Sequence, residues 1–455
     1  MKTIVIVGGG FSGTMTAVQL SQLAKEPLCV YLINAKNPFG KGTAYSTSFD
    51  GHLLNVRAAQ MSAFPDEKNE FVNWLKQNKE YSHTDTNCLQ NQFIPRKIYG
   101  RYVSEILDNE VTQRGIIKLI RDEVIDIKYE NGKATVLLHS HPAITANKVV
   151  LALGNFLPAH PFPHNDAFIS SRYYIHDPWR AQLGSLRDSY LPILLVGTGL
   201  STVDVFLTLS DMNYHGKIYI TSRNGLLPTR HSEYDDFNFD DDLLNYSQLK
   251  ELFVVIKRNL KRAHSAGKGV DGALDKIRIH IQTLWQKLSM ADKKQFMRHL
   301  RPYWSIVRHR IPAPIHKRLL SAINNGQAEI ITGRISSTNA AEHFAEVKIE
   351  LKNKHTETIR VSKVINCTGP QQDYTKIENQ LVKNLIQNHY ILPHELKLGI
   401  VATPDGNIIQ PNGKPSEFLY TLGSSLTGVL WESIAVPELR IQAKTIALTI
   451  LNQPV

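Results

Sequence analysis

Two short stretches carry residues spaced for one kind of chemistry. In IVIVGGGFSG, Gly8, Gly10 and Gly13 form a GxGxxG pattern. In LLVGTGLSTVD, Gly197 and Gly199 repeat its first two glycines and Thr202 stands at the third. Glycine at these positions lets the chain turn tightly, approach a pyrophosphate and pack a helix against a strand. The helix that follows then presents its positive N-terminal end to phosphate charge. Such a turn needs a buried strand before it and a helix after it. TIVIV is an apolar, β-branched run suited to a parallel strand, and TMTAVQLSQL has apolar residues at helical spacing.

The next strands, LCVYLI and KIYIT, lead to the place where a dinucleotide-binding unit contacts its ribose. The spacing from Gly8 to Asn34 equals the spacing from Gly197 to Arg223, so the two blocks superpose without a gap. Asn34 departs from the acidic residue usual there, yet it can hydrogen-bond a diol. Arg223, in Ser222-Arg223-Asn224, suits a 2′-phosphate, which a guanidinium can bind in a bidentate way. Two dinucleotide sites in one chain imply that one dinucleotide reduces the other. FAD held in the first and NADPH visiting the second is the expected division.

Length and composition frame these sites. A chain of 455 residues, 42% hydrophobic and 20% charged, predicts a soluble globular protein of two or three domains. Cys29, Cys88 and Cys367 form no CxxC pair, so neither a disulfide framework nor a dithiol relay is expected. No run reaches the about 18 apolar residues of a membrane helix, and no signal segment precedes the first strand. A cytoplasmic protein with no membrane and no nucleic-acid partner is expected. The net charge of +11 allows an anionic small-molecule substrate. The densest basic run, KRNLKRAHSAGKG, has no aromatic stacking residues and reads as a solvated helix face.

The partition expected is α/β, with two Rossmann-like domains and the NADP domain inserted into the FAD domain. Residues 1–185 form the first part of the FAD-binding domain. Residues 186–334 form the NADP-binding domain, with a helical subregion over 247–325. Residues 335–455 return to the FAD-binding domain. Two hairpin-rich passages punctuate this order. The first has Asn131-Gly132 as its turn and ends in KVVLALGN at Gly154; the second ends in VINCTGP at Gly369.

Taken together, GGGFSG, GKGTAYST, HLLNVRAAQMSAFPDE, FIPRKIYGRYV, VGTGLSTVD, SRNGLLPTRH, VINCTGP and LYTLGSSLTGVLWESIAVPELRIQA resemble the two-dinucleotide-binding flavoproteins. The likeness is greatest to the bacterial family of FAD/NAD(P)-binding proteins and covers nearly the whole chain. PDEKNEFVNWL also resembles the P…F…[YW]L segment of the ornithine and lysine N-hydroxylases. The resemblance implies that Gly8, Gly10, Phe11, Ser12, Gly13 and Asn34 hold the ADP half of FAD, with Gly42 nearby. It implies that Leu54, Asn55, Met61 and Ser62 lie near the flavin, Asn55 being the candidate for a catalytic hydrogen bond. Gly154 and Gly369 would let backbone pass close to the cofactors. Gly423 to Gly428 and Trp431 would bring a helix N-terminus to the flavin ring. Gly197, Thr198, Gly199, Leu200, Ser201, Ser222 and Arg223 would hold NADPH. WESIAVPELR also reads as a packed terminal helix.

Three activities fit these residues. The first is a monooxygenase that hydroxylates a small, amino-acid-like nucleophile through a peroxyflavin, with molecular oxygen as co-substrate. The second is a reductase passing electrons to a quinone or a protein partner. The third is a flavin-binding sensor. EYDDFNFDDD lacks the glycine and terminal glutamate of a calcium loop, so no metal site is expected. RHLRPYWSIVRHRIPAP lines an anionic-substrate pocket or forms a solvated amphipathic helix pair.

Overall fold

The computed structural model describes residues 1–36, 38–181, 183–232, 237–239, 242–268 and 270–452. The chain packs into two units. One contains Met1–Asp50, Val56–Phe156 and Gln371–Val455; the other contains Gly51–Asn55 and Leu157–Pro370. Most of EYDDFNFDDD lies outside the described residues.

The first unit opens with β1 (Lys2–Val7), α1 (Phe11–Leu23) and β2 (Leu28–Ile33), followed by α2 (Gly42–Tyr45), α3 (Glu70–Gln77), α4 (Thr86–Asn91) and α5 (Arg96–Arg114). Next come β3 (Ile117–Ile120), β4 (Val124–Glu130), β5 (Lys133–Leu138), β6 (Ile144–Ala146) and β7 (Lys148–Leu151). β1 and β2 are buried almost throughout, because a central parallel strand is covered on both faces. They run parallel in register from Lys2 opposite Leu28 to Val7 opposite Ile33, and β7 lies parallel on the other side of β1. β4, β5 and β6 form a separate three-stranded antiparallel sheet. Asn131 and Gly132 turn the first hairpin with φ of 51° and 73°. Two positive φ values match the twist of the flanking strands.

The second unit carries α6 (Asp166–Ile169), β8 (Tyr174–Ile175), β9 (Ile193–Val196), α7 (Leu200–Asp211) and β10 (Ile218–Ser222). A helical run follows: α8 (Leu249–Ser265), α9 (Asp271–Lys287), α10 (Met290–His299), α11 (Arg301–Arg308) and α12 (Ala313–Asn324). The unit closes with β11 (Ala328–Ala340), β12 (Ala345–Leu351), β13 (Thr356–Val361) and β14 (Lys363–Asn366). Its seven-stranded sheet has the order β13-β12-β11-β10-β9-β14-β8. β11 pairs parallel with β10 through its first half and antiparallel with β12 through its second. The hairpin passage therefore continues the second sheet. This unit begins at Leu157 and ends at Pro370, whereas the sequence partition divides the chain at 185 and 334. In the helical run, Arg310 is buried and pairs with Asp271 at 3.2 Å and Asp275 at 2.5 Å.

The chain returns to the first unit with α13 (Gln380–Gln387), β15 (Asn407–Ile409), β16 (Pro415–Thr421) and α14 (Val436–Asn452). β16 pairs parallel with β7, completing a six-stranded sheet of order β15-β16-β7-β1-β2-β3. α14 packs along α1. α1 is buried on nearly every side, as expected of a helix held between a sheet and a second helix. No described helix is long and apolar enough to cross a membrane.

A half-buried acid opens α3. Burial first, and then the charge of Glu67, raise the Glu70 carboxyl to about 8. Its Oε2 has no hydrogen-bond partner among the described residues. The fold thus favours neutral Glu70. Its contribution is complete below the ordinary carboxyl range and is lost as the pH rises toward 8. Glu70→Gln should raise the thermal midpoint at pH 8 and reduce the difference between midpoints at pH 5.5 and pH 8. An unchanged difference would show that Glu70 ionises freely in the folded chain.

Candidate dinucleotide sites

In both sheets the glycine-bearing strand sits where the strand order changes direction. β1 lies between β2 and β7, and β9 lies between β10 and β14. Ligands of open α/β sheets bind in the crevice beyond the carboxyl ends of strands at such a switch point. The two glycine turns stand at these ends.

Their backbones repeat one another. Gly8 N donates to Ile33 O and Gly197 N donates to Thr221 O, both at 2.8 Å. Ala152 N donates to Val7 O and Cys367 N to Val196 O, both at 2.9 Å. Gly8 and Gly197 have φ of +111° and +118°. A Cβ on Gly8 would lie 2.1 Å from Ala152 O, and one on Gly197 would lie 2.6 Å from Cys367 O. The first glycine of each turn is therefore demanded by the neighbouring strand. The second glycine is the N-cap of the following helix in each case: Gly10 for α1 and Gly199 for α7. Neither helix has a side-chain cap. A Cβ on Gly10 would make only ordinary contact with Gly42 Cα at 3.4 Å, and one on Gly199 would meet nothing within 4 Å. That opening leaves room for a ligand's phosphates at the helix start.

The third position separates the turns. A Cβ on Gly13 would lie 1.9 Å from Gly8 O. Thr202 occupies the corresponding place and donates its hydroxyl to Gly197 O at 2.8 Å. Threonine thus closes the second turn with a hydrogen bond.

The first unit gathers most of its predicted residues at one sheet edge. Asn34 lies beside Gly9, whose added Cβ would stand 2.8 Å from Asn34 Cβ. Phe11 is buried, and Ser12 faces Gly423, with Oγ 3.5 Å from that residue's added Cβ. Gly42 has a φ of +57° and packs on Gly10. Gly154 is exposed with open space around it, and Ser424 donates its hydroxyl to Gly154 O. Gly423 N donates to Gln442 Oε1 of α14 at 2.9 Å. Gly428 has a different reason to be glycine, because an added Cβ would lie 2.5 Å from the His394 ring. Trp431 is buried. Met61 and Ser62 are also buried, and Ser62 O accepts from Arg440 Nη1 at 2.8 Å.

Leu54 and Asn55 belong to the second unit. The ring of His52 enters that unit's core, with Nε2 3.0 Å from Asp204 O and 2.9 Å from Thr208 Oγ1 of α7. His231 Nε2 lies 3.0 Å from Asn55 O. These two histidines hold the segment 51–55 from both ends. Sequence reasoning gave neither of them a role, because their partners are distant along the chain.

At the second turn, Thr198, Leu200 and Ser201 are partly exposed beside Gly199. Ser222 Oγ accepts from Thr198 Oγ1 at 3.1 Å and from Gly225 N at 3.0 Å, which fixes the exit of β10. Arg223 follows at once and is exposed. Gly369, just beyond β14, is exposed with nothing within 4 Å of an added Cβ. Burial first raises the Cys367 thiol to about 12, so it is protonated at neutral pH. No cluster of three metal-binding side chains occurs among the described residues.

Residues 5–156 match the family model described as FAD-NAD(P)-binding. The N-terminal third of the chain is therefore an FAD-NAD(P)-binding domain. No curated protein matches the chain. Solved structures match its fold over nearly its full length. L-lysine 6-monooxygenase from Pseudomonas syringae is 15% identical with a TM-score of 0.69, covering 99% of this chain and 100% of that one. Ornithine hydroxylase from Pseudomonas aeruginosa is 13% identical with a TM-score of 0.66, covering 99% and 98%. A bacillithiol disulfide reductase from Staphylococcus aureus is 12% identical with a TM-score of 0.58, covering 99% of each chain. The chain has the two-domain fold that these proteins share.

The glycine geometry separates folding from binding. Gly13→Ala should prevent soluble expression or lower the thermal midpoint sharply, because its Cβ meets backbone. Gly10→Val should stay folded by circular dichroism yet purify with much less bound flavin. Full flavin retention in Gly10→Val would remove the first turn from the binding site.

Proposed function

We propose that this protein is an FAD-dependent, NADPH-using monooxygenase that hydroxylates a small amine of amino-acid type. The observation that carries this reading is the duplicated turn with different residues at the ribose position, Asn34 in one unit and Arg223 in the other. The fit to FAD rests on the uncapped start of α1 and the open space at Gly10. In this reading Gly10, Phe11 and Ser12 hold the pyrophosphate and Asn34 holds the ribose. Gly42, Met61, Ser62, Gly154, Gly423, Gly428 and Trp431 complete the surroundings of FAD. Gly197, Thr198, Gly199, Leu200, Ser201 and Ser222 shape the nicotinamide dinucleotide site, with Gly369 beside it. Arg223 recognises the 2′-phosphate.

When bound, FAD would supply the redox chemistry between NADPH and oxygen. The protein's own contribution is to bind, orient and exclude water. Buried Trp431 and Met61 contribute apolar cover. Asn55 has its carbonyl held by His231, and its side chain is assigned a hydrogen bond that orients the reacting groups. The amine substrate is supported by the fold's likeness to proteins named for ornithine and lysine, both amino acids with a side-chain amine.

An anaerobic experiment tests the reading. NADPH should bleach the bound flavin faster than NADH does. Admitting oxygen with a panel of diamines and basic amino acids should then give a product 16 mass units heavier from at least one of them. Bleaching without any hydroxylated product, together with rapid reoxidation by a quinone, would replace this reading with a reductase. No bleaching by either nicotinamide would leave a flavin-binding sensor.

A further inference from the structure

The turn that carries Gly369 is held by side chains that reach it from β8. Asn366, the last residue of β14, is buried. Its Oδ1 accepts from Thr368 N at 3.2 Å and from Thr368 Oγ1 at 2.6 Å. Its Nδ2 donates to Ala159 O and to Tyr174 Oη, both at 3.1 Å. A backbone N–H only donates and a backbone carbonyl only accepts, so Thr368 N and Ala159 O fix which end of the amide is which. The turn held in this way lies directly against the second glycine turn. An added Cβ on Gly197 would stand 2.6 Å from Cys367 O and 3.2 Å from Thr368 N.

The same accounting places the protons further along. Tyr174 is buried in β8, which pairs parallel with β14. Its oxygen receives the Asn366 amide, so its own proton needs another acceptor. Among the described residues that acceptor is His160 Nδ1, at 3.0 Å. His160 therefore accepts at Nδ1, carries its proton on Nε2 and is neutral. The ring of His176 lies 4.4 Å from that of His160, and His176 Nε2 donates to Pro158 O at 2.7 Å. Burial first, and then His176 and His164, hold the His160 imidazole below the ordinary histidine value. His164 is exposed and pairs with Asp166 at 3.0 Å; Asp177, next to His176, pairs with Arg180 at 3.6 Å. Neither His160 nor His176 has a carboxylate partner among the described residues. A proton added at His160 Nδ1 would aim two donors, the imidazolium and the Asn366 amide, at one phenol oxygen. The buried phenol proton would then lose its acceptor, which a folded chain tolerates poorly.

We propose that His160, Tyr174 and Asn366 form a latch that positions the turn 367–369 for dinucleotide binding, and that protonation of His160 releases it. All three are positioning residues. This inference rests on the reading of the second unit as the NADPH-binding unit, and it makes that binding acid-sensitive. Because the fold favours the neutral ring, binding is complete above the ordinary histidine range and declines as the pH falls below it.

The test is calorimetric titration of the flavin-loaded protein with NADP+ from pH 8 to pH 5. Wild type, His160→Asn, His160→Phe and Tyr174→Phe are compared, with circular dichroism at each pH to confirm the fold. The 2′-phosphate of NADP+ titrates in this range, so variants are compared with wild type at equal pH. His160→Asn keeps an acceptor close to the place of Nδ1 and has no proton to gain. It should match wild type within about twofold at pH 8 and bind about five- to tenfold more tightly than wild type at pH 5, the scale of one hydrogen bond. His160→Phe and Tyr174→Phe break the latch at every pH. They should bind about five- to tenfold more weakly than wild type at pH 8 and converge with it at pH 5. Coinciding wild-type and His160→Asn profiles from pH 8 to pH 5 would overturn the latch while leaving the NADPH reading intact. Variants with lower thermal midpoints but unchanged affinity would also overturn it and leave the three residues structural. Wild type that binds no NADP+ at pH 8 would overturn both. Should Tyr174→Phe or His160→Phe fail to fold, the comparison of His160→Asn with wild type decides.

Discussion

The structure depends on one close approach made twice. In each unit the strand carrying the glycine turn lies so near its neighbour that the first glycine touches the residue closing that neighbour, Ala152 in one case and Cys367 in the other. A side chain there would collide with backbone, which cannot move without breaking the strand's ladder. The strand therefore turns away at the switch point and the helix begins directly above the sheet edge. The helix N-terminus, the open second glycine and the ribose residue all follow from that contact. In the proposed reading, folding and phosphate binding share one geometric cause, with different glycines serving each.

The units differ in what they build around this common turn. The first covers α1 with α14 and collects Gly42, Gly154 and the segment from Gly423 at one edge, as suits a cofactor that stays. The second leaves Arg223, Gly199 and Gly369 exposed at its edge. It also takes residues 51–55 from between two stretches of the first unit and holds them with His52 and His231. Asn55 thereby sits in a segment fixed by the unit we assign to NADPH.

Much of this was legible in the sequence because the constraints are local. A glycine pattern between a β-branched run and a helical run can be read from a dozen residues. The equal spacing to Asn34 and Arg223 revealed that the turns correspond, and Asn131-Gly132 announced its hairpin. What escaped was set by distant partners. The end of the second unit depends on β11, which changes from a parallel neighbour to an antiparallel one within a single strand. Local alternation cannot tell which sheet such a strand joins. The role of His52 depends on Asp204, 152 positions away. Gly428 also packs closely against the His394 ring, a contact that no spacing encodes.

The central claim is that one chain holds two dinucleotides at once, one in each unit. The direct measurement is stoichiometry. FAD released from purified protein is counted against protein mass, and the flavin-loaded protein is titrated calorimetrically with NADP+ while free FAD is monitored. The account predicts one FAD and one NADP+ per chain, with no flavin displaced at saturation. Release of FAD in step with NADP+ binding, or no NADP+ binding at all, would contradict it.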